Sequence, residues 1–141
     1  MLKVADEFIV IDSGSTDATL QICQQFGLTV HHHAYTTHGT QMNYATSLAS
    51  HDWVLCMDSD EILDDEVVAA ILALKAGDEP DPACAWRLPR YWFVLGEEVR
   101  TIYPVSSPDF PVRLFNRSVA RFNDRPVDDQ VVGFTHSARL P

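Results

Sequence analysis

Positive charge is scarce in this chain. Lys and Arg number 10 against 20 Asp and Glu, and the formal net charge is −10. A nucleic-acid backbone is recognised by clustered Lys and Arg, so this balance excludes nucleic acid as the expected partner. It does not exclude a phosphorylated small molecule, because a bound cation reverses the local field. Cysteine is sparse as well. Cys23, Cys56 and Cys84 are odd in number, far apart, and form no CxxC pair. Cys23 and Cys56 sit in apolar stretches, and reduced, buried thiols in a cytoplasmic protein are the expectation. No apolar run is long enough to span a membrane, and no signal-peptide pattern opens the chain. Internal repeats and low-complexity segments are also lacking. The triplet His31, His32 and His33 is internal, so it is no terminal tag, and with His38 it reads as strand-end and loop residues.

What remains is one domain of 141 residues, with 46% hydrophobic residues to build a core. "EFIVID" (7–12) is an apolar, β-branched run and reads as a buried strand. In "SGSTD", Gly14 permits a tight turn and Ser15 or Thr16 can cap a helix. "DATLQICQQF" places Leu20, Cys23 and Phe26 at helical spacing, and Gly27 stops it. "LTVHHH" is a second strand. "YTTHGTQMNYATSLASH" puts Met42, Ala45, Leu48 and Ala49 on one helical face, and "WVLCMD" is a third strand. "DDEVVAAILALKAG" is a helix with Asp64 as cap, an acidic first turn, Lys75 in the last turn and Gly77 as stop. This alternation predicts an α/β fold with parallel strands and crossover helices. After the polar break "GDEPDP" (77–82), "CAWRLPRYWFVLG" and "FPVRLFNRSVARF" read as strands of a smaller, antiparallel or mixed extension. The expected division is 1–76 for ligand binding and 77–141 for the extension.

Ligands of parallel α/β sheets bind beyond the carboxyl ends of the strands, where Asp12 and Asp58 both fall. The stretch "DWVLCMDSDE" (52–61) crowds Asp58, Asp60 and Glu61 at the end of an apolar strand, so a positive group or water is expected among them. Asp58 and Asp60, two apart, can aim at one ion at a strand-to-loop bend, and carboxylates suit Mg2+ or Mn2+. The plain alternative is an acidic cap on the next helix, facing solvent. Two enzyme classes use such a pair. A glycosyltransferase would hold a metal and a nucleotide diphosphate there. A haloacid-dehalogenase-type phosphatase would use Asp58 as nucleophile. Against the second, "DSDEI" offers Ile62 where Thr or Val belongs, and the motif ends the third strand, not the first.

Taken together, "ADEFIVIDSGSTDATLQIC", "QMNYATSLA" and "HDWVLCMDSDEIL" resemble the family 2 glycosyltransferases with the GT-A fold. The branch most similar includes bacterial lipopolysaccharide-core glucosyltransferases, and "VRLFNRSVARFNDRPVDD" is similar to its later segment. The resemblance implies a metal-dependent, inverting transfer of a hexose from a UDP-sugar to a saccharide or lipid-linked acceptor. It implies that Asp12 contacts the nucleobase, with Ser15 and Asp17 on the same donor side. It implies that Asp58 and Asp60 hold Mg2+ or Mn2+ and the diphosphate. Asp129 falls at the position of the acceptor-activating carboxylate, with Asp128 beside it as the other candidate base. A solvated acidic loop is the plain alternative for "DRPVDD". Asp109 and Arg113 match the branch as substrate-binding positions, though a lone Arg on a strand also serves as a structural ion pair. Met42 stands where branch members carry Lys or Arg. His136 is a further metal-ligand candidate, with a surface role as its alternative.

The resemblance also implies a strand and helix before the first strand seen here, and a helical tail after the last. The expectation is therefore a domain truncated at both ends, with weakened catalysis. An exposed sheet edge would then favour a homo-oligomer. Cytoplasmic work on envelope polysaccharide, peripheral to the inner membrane, is the implied setting. A non-catalytic remnant or assembly module of the same fold is the alternative.

Overall fold

A computed structural model describes residues 4–102 and 105–141. The first half follows the predicted alternation. Strand β1 (Val10–Asp12) leads into α1 (Thr19–Gln25), β2 (Val30–His32), α2 (His38–Leu48), β3 (Trp53–Leu55) and α3 (Asp65–Ala76). The strands are shorter than their apolar runs: "EFIVID" contributes only its last three residues to β1. The capping signals hold. The Asp64 side chain accepts from the Val67 amide at 2.8 Å, Asp65 and Glu66 fill the first turn, and Lys75 sits in the last. Gly27, after α1, takes a φ of 67°, where a side chain would be strained.

The second half is strand-rich. It comprises β4 (Cys84–Arg87), β5 (Trp92–Val94), β6 (Glu97–Val99), β7 (Thr101–Ile102), β8 (Val105–Ser106), β9 (Val112–Asn116), β10 (Arg121–Phe122), β11 (Val131–Val132) and β12 (His136–Arg139). β5 with β6 and β7 with β8 are antiparallel hairpins, and β10 pairs antiparallel with β11.

Pairing departs from one continuous parallel sheet. β1 and β2 form a parallel pair on their own, while β3 joins a four-stranded mixed sheet of order β12-β4-β9-β3. β9 runs antiparallel to both neighbours, pairing Leu114 with Leu55 on one side and with Trp86 on the other. The sheet thus draws β3 from 1–76 and its other three strands from 77–141. A strand early in sequence is held by one late in sequence, which local periodicity cannot announce.

Alternation along the sheet sends side chains to two layers. Trp53, Leu55, Trp86 and Leu114 face α3, where Val67 and Ile71 are buried among them. Val54, Cys56, Ala85, Val112 and Phe115 face the other way, toward Met42 of α2 and the β10–β11 pair with Phe122 and Val131. Phe115 is fully enclosed and meets Phe122 edge-to-face at 5.9 Å. Cys56 and Cys84 are buried free thiols; Cys23 is only half-buried, because α1 buries no residue. Burial pushes the Cys56 thiol up to about 12, so it stays protonated.

Phe115 is the largest fully buried side chain of the layer beneath α2. Phe115→Ala is expected to lower the unfolding free energy by about 3–5 kcal/mol, read as a lower urea midpoint. A loss under about 1 kcal/mol would mean this layer is not packed as described.

Candidate active site

The register of β3 against β9 builds the centre of the site. The Cys56 amide donates to the Arg113 carbonyl at 2.8 Å, so Asp58 emerges beside Arg113 just past the end of β3. Arg113 shares the face of Phe115 and is 5% exposed. Its guanidinium donates from Nη2 to Asp58 Oδ2 at 2.9 Å and also to Glu61 Oε1. Glu61 turns back on its own segment: its Oε2 accepts from the Asp58 amide at 3.1 Å. The positive group expected within "DSDE" is therefore Arg113.

The pairing continues in both directions. Arg90 Nη1 lies 3.6 Å from Glu61 Oε1, and Arg90 grips Asp109 with two bonds, Nε to Oδ1 at 3.0 Å and Nη2 to Oδ2 at 2.5 Å. Backbone bonds between Arg90 and Asp109 hold their segments together, and the Arg90 guanidinium rests over the Trp92 ring. On the other side His38 Nε2 meets Asp58 Oδ1 at 2.8 Å, and Nδ1 of the same ring meets Asp129 Oδ2 at 2.8 Å. Asp129, His38, Asp58, Arg113, Glu61, Arg90 and Asp109 thus form one chain of alternating charge.

His38 is not the loop residue expected from the sequence. It is the first residue of α2, after a Thr37 cap whose side chain accepts from the Thr40 amide. Its two ring nitrogens can both donate only as imidazolium. Hydrogen bonding to Asp58, and then to Asp129, outweighs desolvation and raises its pKa to about 9. The same contact holds the Asp58 carboxyl down at about 2, against partial burial, with Arg113 adding to the effect.

Asp58, Asp109, Arg113, Asp128 and Asp129 all line one cavity of about 610 Å3, together with His38, Arg87 and Arg90. Asp129 is half-buried and held by His38, whereas Asp128 is exposed at a φ of 55°. The remaining predicted residues lie elsewhere. Asp12 is 8% exposed and satisfied by its own turn: it accepts from the Gly14 amide at 2.8 Å and from the Ser15 amide and hydroxyl. These bonds, the Ser15 hydroxyl first, lower its pKa. Asp17 is exposed and binds the Thr19 hydroxyl and amide at the start of α1. His136 lies on β12, exposed, 3.6 Å from Asp81, away from the cavity. His33 stacks on Tyr44 at 4.1 Å and bonds Gln41, whose amide reaches Ser13 beside Asp12.

The implied Mg2+ or Mn2+ does not fit the donor set as arranged. Both Asp58 oxygens are taken, Oδ1 by His38 and Oδ2 by Arg113. Asp60 is exposed and makes no side-chain hydrogen bond among the described residues. Among those residues no group of three or more His, Cys, Asp and Glu is placed to hold a metal ion.

The residues missed in sequence are His38, Glu61, Arg87, Arg90 and Asn43. Glu61 had a visible signal in its place within "DSDE". Asn43 forms a reciprocal pair with the Phe122 backbone, Nδ2 to the carbonyl and the amide to Oδ1, both at 2.9 Å.

A sequence model of Glycosyl transferase family 2 matches residues 3–137. An uncharacterized glycosyltransferase of Rickettsia typhi is 29% identical over 121 residues, covering 85% of this chain and 40% of that protein. One from Rickettsia felis is 35% identical over 86 residues, covering 61% of this chain and 30% of that protein, and one from Rickettsia conorii matches to the same extent. The chain thus spans well under half the length of these relatives.

The raised pKa of His38 sets a pH window. Its stabilisation is complete below about 6.5 and is lost as pH rises through about 9. The low pKa of Asp58 describes the same pair from its acid side, lost as pH falls from 3.8 through about 2, and is not added to it. Water reaches a third of the ring, so the alkaline loss is discounted to about 2 kcal/mol. Urea unfolding between pH 6.5 and 9.5 is expected to show that fall in the unmodified chain and little of it in His38→Gln. Parallel pH curves for the two proteins would refute the paired imidazolium.

Proposed function

The chain belongs to glycosyl transferase family 2, and on that premise we propose that it carries a catalytic centre for inverting hexose transfer. The donor is a nucleoside-diphosphate sugar, most simply a UDP-sugar, and the acceptor is a hydroxyl of a saccharide or lipid-linked glycan. One observation carries this reading: Asp58 and Asp129, far apart in sequence, converge across His38 on one cavity walled by arginines.

In this mechanism Asp129 is the general base. His38 occupies Oδ2, which leaves Oδ1 to take the proton of the acceptor hydroxyl. The acceptor oxygen forms its bond to the anomeric carbon on the face opposite the diphosphate. The bond from that carbon to the phosphate oxygen breaks, and the nucleoside diphosphate leaves with the electron pair. Arg87 and Arg90, both on the cavity wall, supply charge for the departing phosphates. Asp12, Ser15 and Asp17 form the nucleoside side, linked to α2 through Ser13 and Gln41. Asp128 is placed as a neighbour of the base. The likeness of the later segment to the lipopolysaccharide-core branch supports an envelope polysaccharide as the acceptor, worked on at the membrane surface. No helix among the described residues is long and apolar enough to cross a membrane.

An oligomer is part of this proposal. Among the described residues β1 pairs only with β2 and β3 only with β9, and an apolar groove of about 1080 Å3 lies between them. Val10, Ile11, Met42, Val54 and Leu55 line it. Two open strand edges flanking apolar surface favour pairing with a second copy. Sedimentation at rising concentration is expected to show a dimer or larger species. A well-behaved monomer throughout would end this part of the proposal.

Calorimetry with UDP tests the donor site, with and without Mn2+, since a divalent cation would have to displace His38 or Arg113 from Asp58. Arg90→Ala is expected to weaken UDP binding. Asp129→Asn is expected to leave UDP binding intact while lowering UDP release from a UDP-hexose with acceptor by about 10²- to 10⁴-fold. Undiminished release by Asp129→Asn would remove that residue from the mechanism.

A further inference from the structure

Three residues from the first two turns of α2, His38, Gly39 and Asn43, converge on the segment that carries Asp129. His38 bonds Asp129 Oδ2 at 2.8 Å, and its ring packs edge-on against Phe122 at 5.7 Å. Gly39 is buried so close to the segment that an added Cβ would lie 2.5 Å from the Asn123 carbonyl oxygen and 3.6 Å from the Asp129 Cβ. Asn43 pairs with both polar backbone groups of Phe122, as a neighbouring strand would. Only a residue without a side chain at 39 lets the helix start come near enough for the ring at 38 to reach Asp129.

The other ring nitrogen goes to Asp58 Oδ1 at 2.8 Å. An imidazole is planar and has no rotatable bond between its nitrogens, so it fixes the two carboxylates in distance and direction. A purely structural role would need neither bond: an apolar side chain at 38 would also pack on Phe122. Two charge-assisted bonds to cavity-lining carboxylates are what set this residue apart.

We propose that His38 is a positioning residue for the transfer step, a rigid bridge that aims Asp129 at the acceptor hydroxyl and indexes it to Asp58 on the donor side. This rests on the reading of Asp129 as base. The chemistry demands such a device, because a base displaced by an ångström loses most of its effect.

The test compares the unmodified chain with His38→Gln, Gly39→Ala and Asp129→Asn. It reads UDP release from UDP-hexoses with saccharide acceptors, UDP affinity by calorimetry, and crystal structures of the first three proteins. His38→Gln is expected to keep its donor KM and UDP affinity within about twofold, while turnover falls about 10- to 100-fold. Gly39→Ala keeps the imidazole but pushes the helix away, and is expected to lose turnover alike. Full turnover in His38→Gln alongside loss in Asp129→Asn overturns the positioning role and leaves the base standing. Full turnover in Asp129→Asn overturns both. If the unmodified chain releases no UDP from any donor tried, the structures decide. An Asp129 carboxylate that keeps its place in His38→Gln overturns the proposal, and one that turns away upholds it.

Discussion

Everything at the centre of this molecule hangs on the buried ion pair of Arg113 with Asp58 and Glu61. Arg113 is 5% exposed, and desolvating its charge is offset only where carboxylates accept the hydrogen bonds of its guanidinium. Asp58 and Glu61 do so from one turn. They are then compensated in their own right, Asp58 by His38 and Glu61 by Arg90. The alternation continues outward to Asp129 and Asp109 at the more exposed ends. No member can be removed without leaving a neighbour short of its counter-charge. The arrangement also constrains the sheet. A slip of β9 by one residue would swing Arg113 into the layer beneath α3, beside Trp86 and Ile71, where no carboxylate is buried among the described residues, and would turn Leu114 out of it.

Helix α2 serves as a connecting rod. Its Gln41 touches Ser13 in the turn after β1 and His33 after β2, while His38, Gly39 and Asn43 grip the segment 122–129. The parallel pair and the late strands share no sheet, so side chains of this helix do the joining that a continuous ladder would otherwise do. Much of its face is therefore spent on hydrogen bonds instead of apolar burial, and Gly39 is its only buried residue. Its sequence "HGTQMNYATSL" is weakly amphipathic for this reason.

Local order was legible in the sequence. Capping at Asp64, the acidic first turn, Lys75 and Gly77 fixed α3 closely, because those signals act within one turn of the chain. The ends of β1 and β3 marked Asp12 and Asp58. What could not be read was pairing at long range. Nothing in "WVLCMD" says that its partner is "VRLFN", since both are apolar runs that would pair in many registers. His38 was invisible for the same reason: it bonds residues distant on both sides, in a segment rich in His. Asp12 shows the local side of the same rule: its position at a strand end was legible, and the nearby Gly14 amide and Ser15 hydroxyl bond its oxygens within one turn.

The scarcity of positive charge gains a meaning once the cavity is counted. The chain carries −10 overall, but the cavity lining holds His38, Arg87, Arg90 and Arg113 against Asp58, Asp109, Asp128 and Asp129, a sum of zero with His38 charged. Beyond about 10 Å salt screens the remaining negative surface, so an approaching anion meets a neutral wall at close range. That wall is not inert. Arg90 and Arg113 already spend donors on carboxylates, Arg87 spends its own on the Ser137 hydroxyl and the Phe110 carbonyl, and a phosphate oxygen offers those donors an equal partner. An anion can therefore enter by exchange, drawing Arg90 from Asp109 or Glu61 without stripping a free charge of its water. Crowded carboxylates and few cations are then one feature: the acids hold Arg90 and Arg113 in place on the cavity wall.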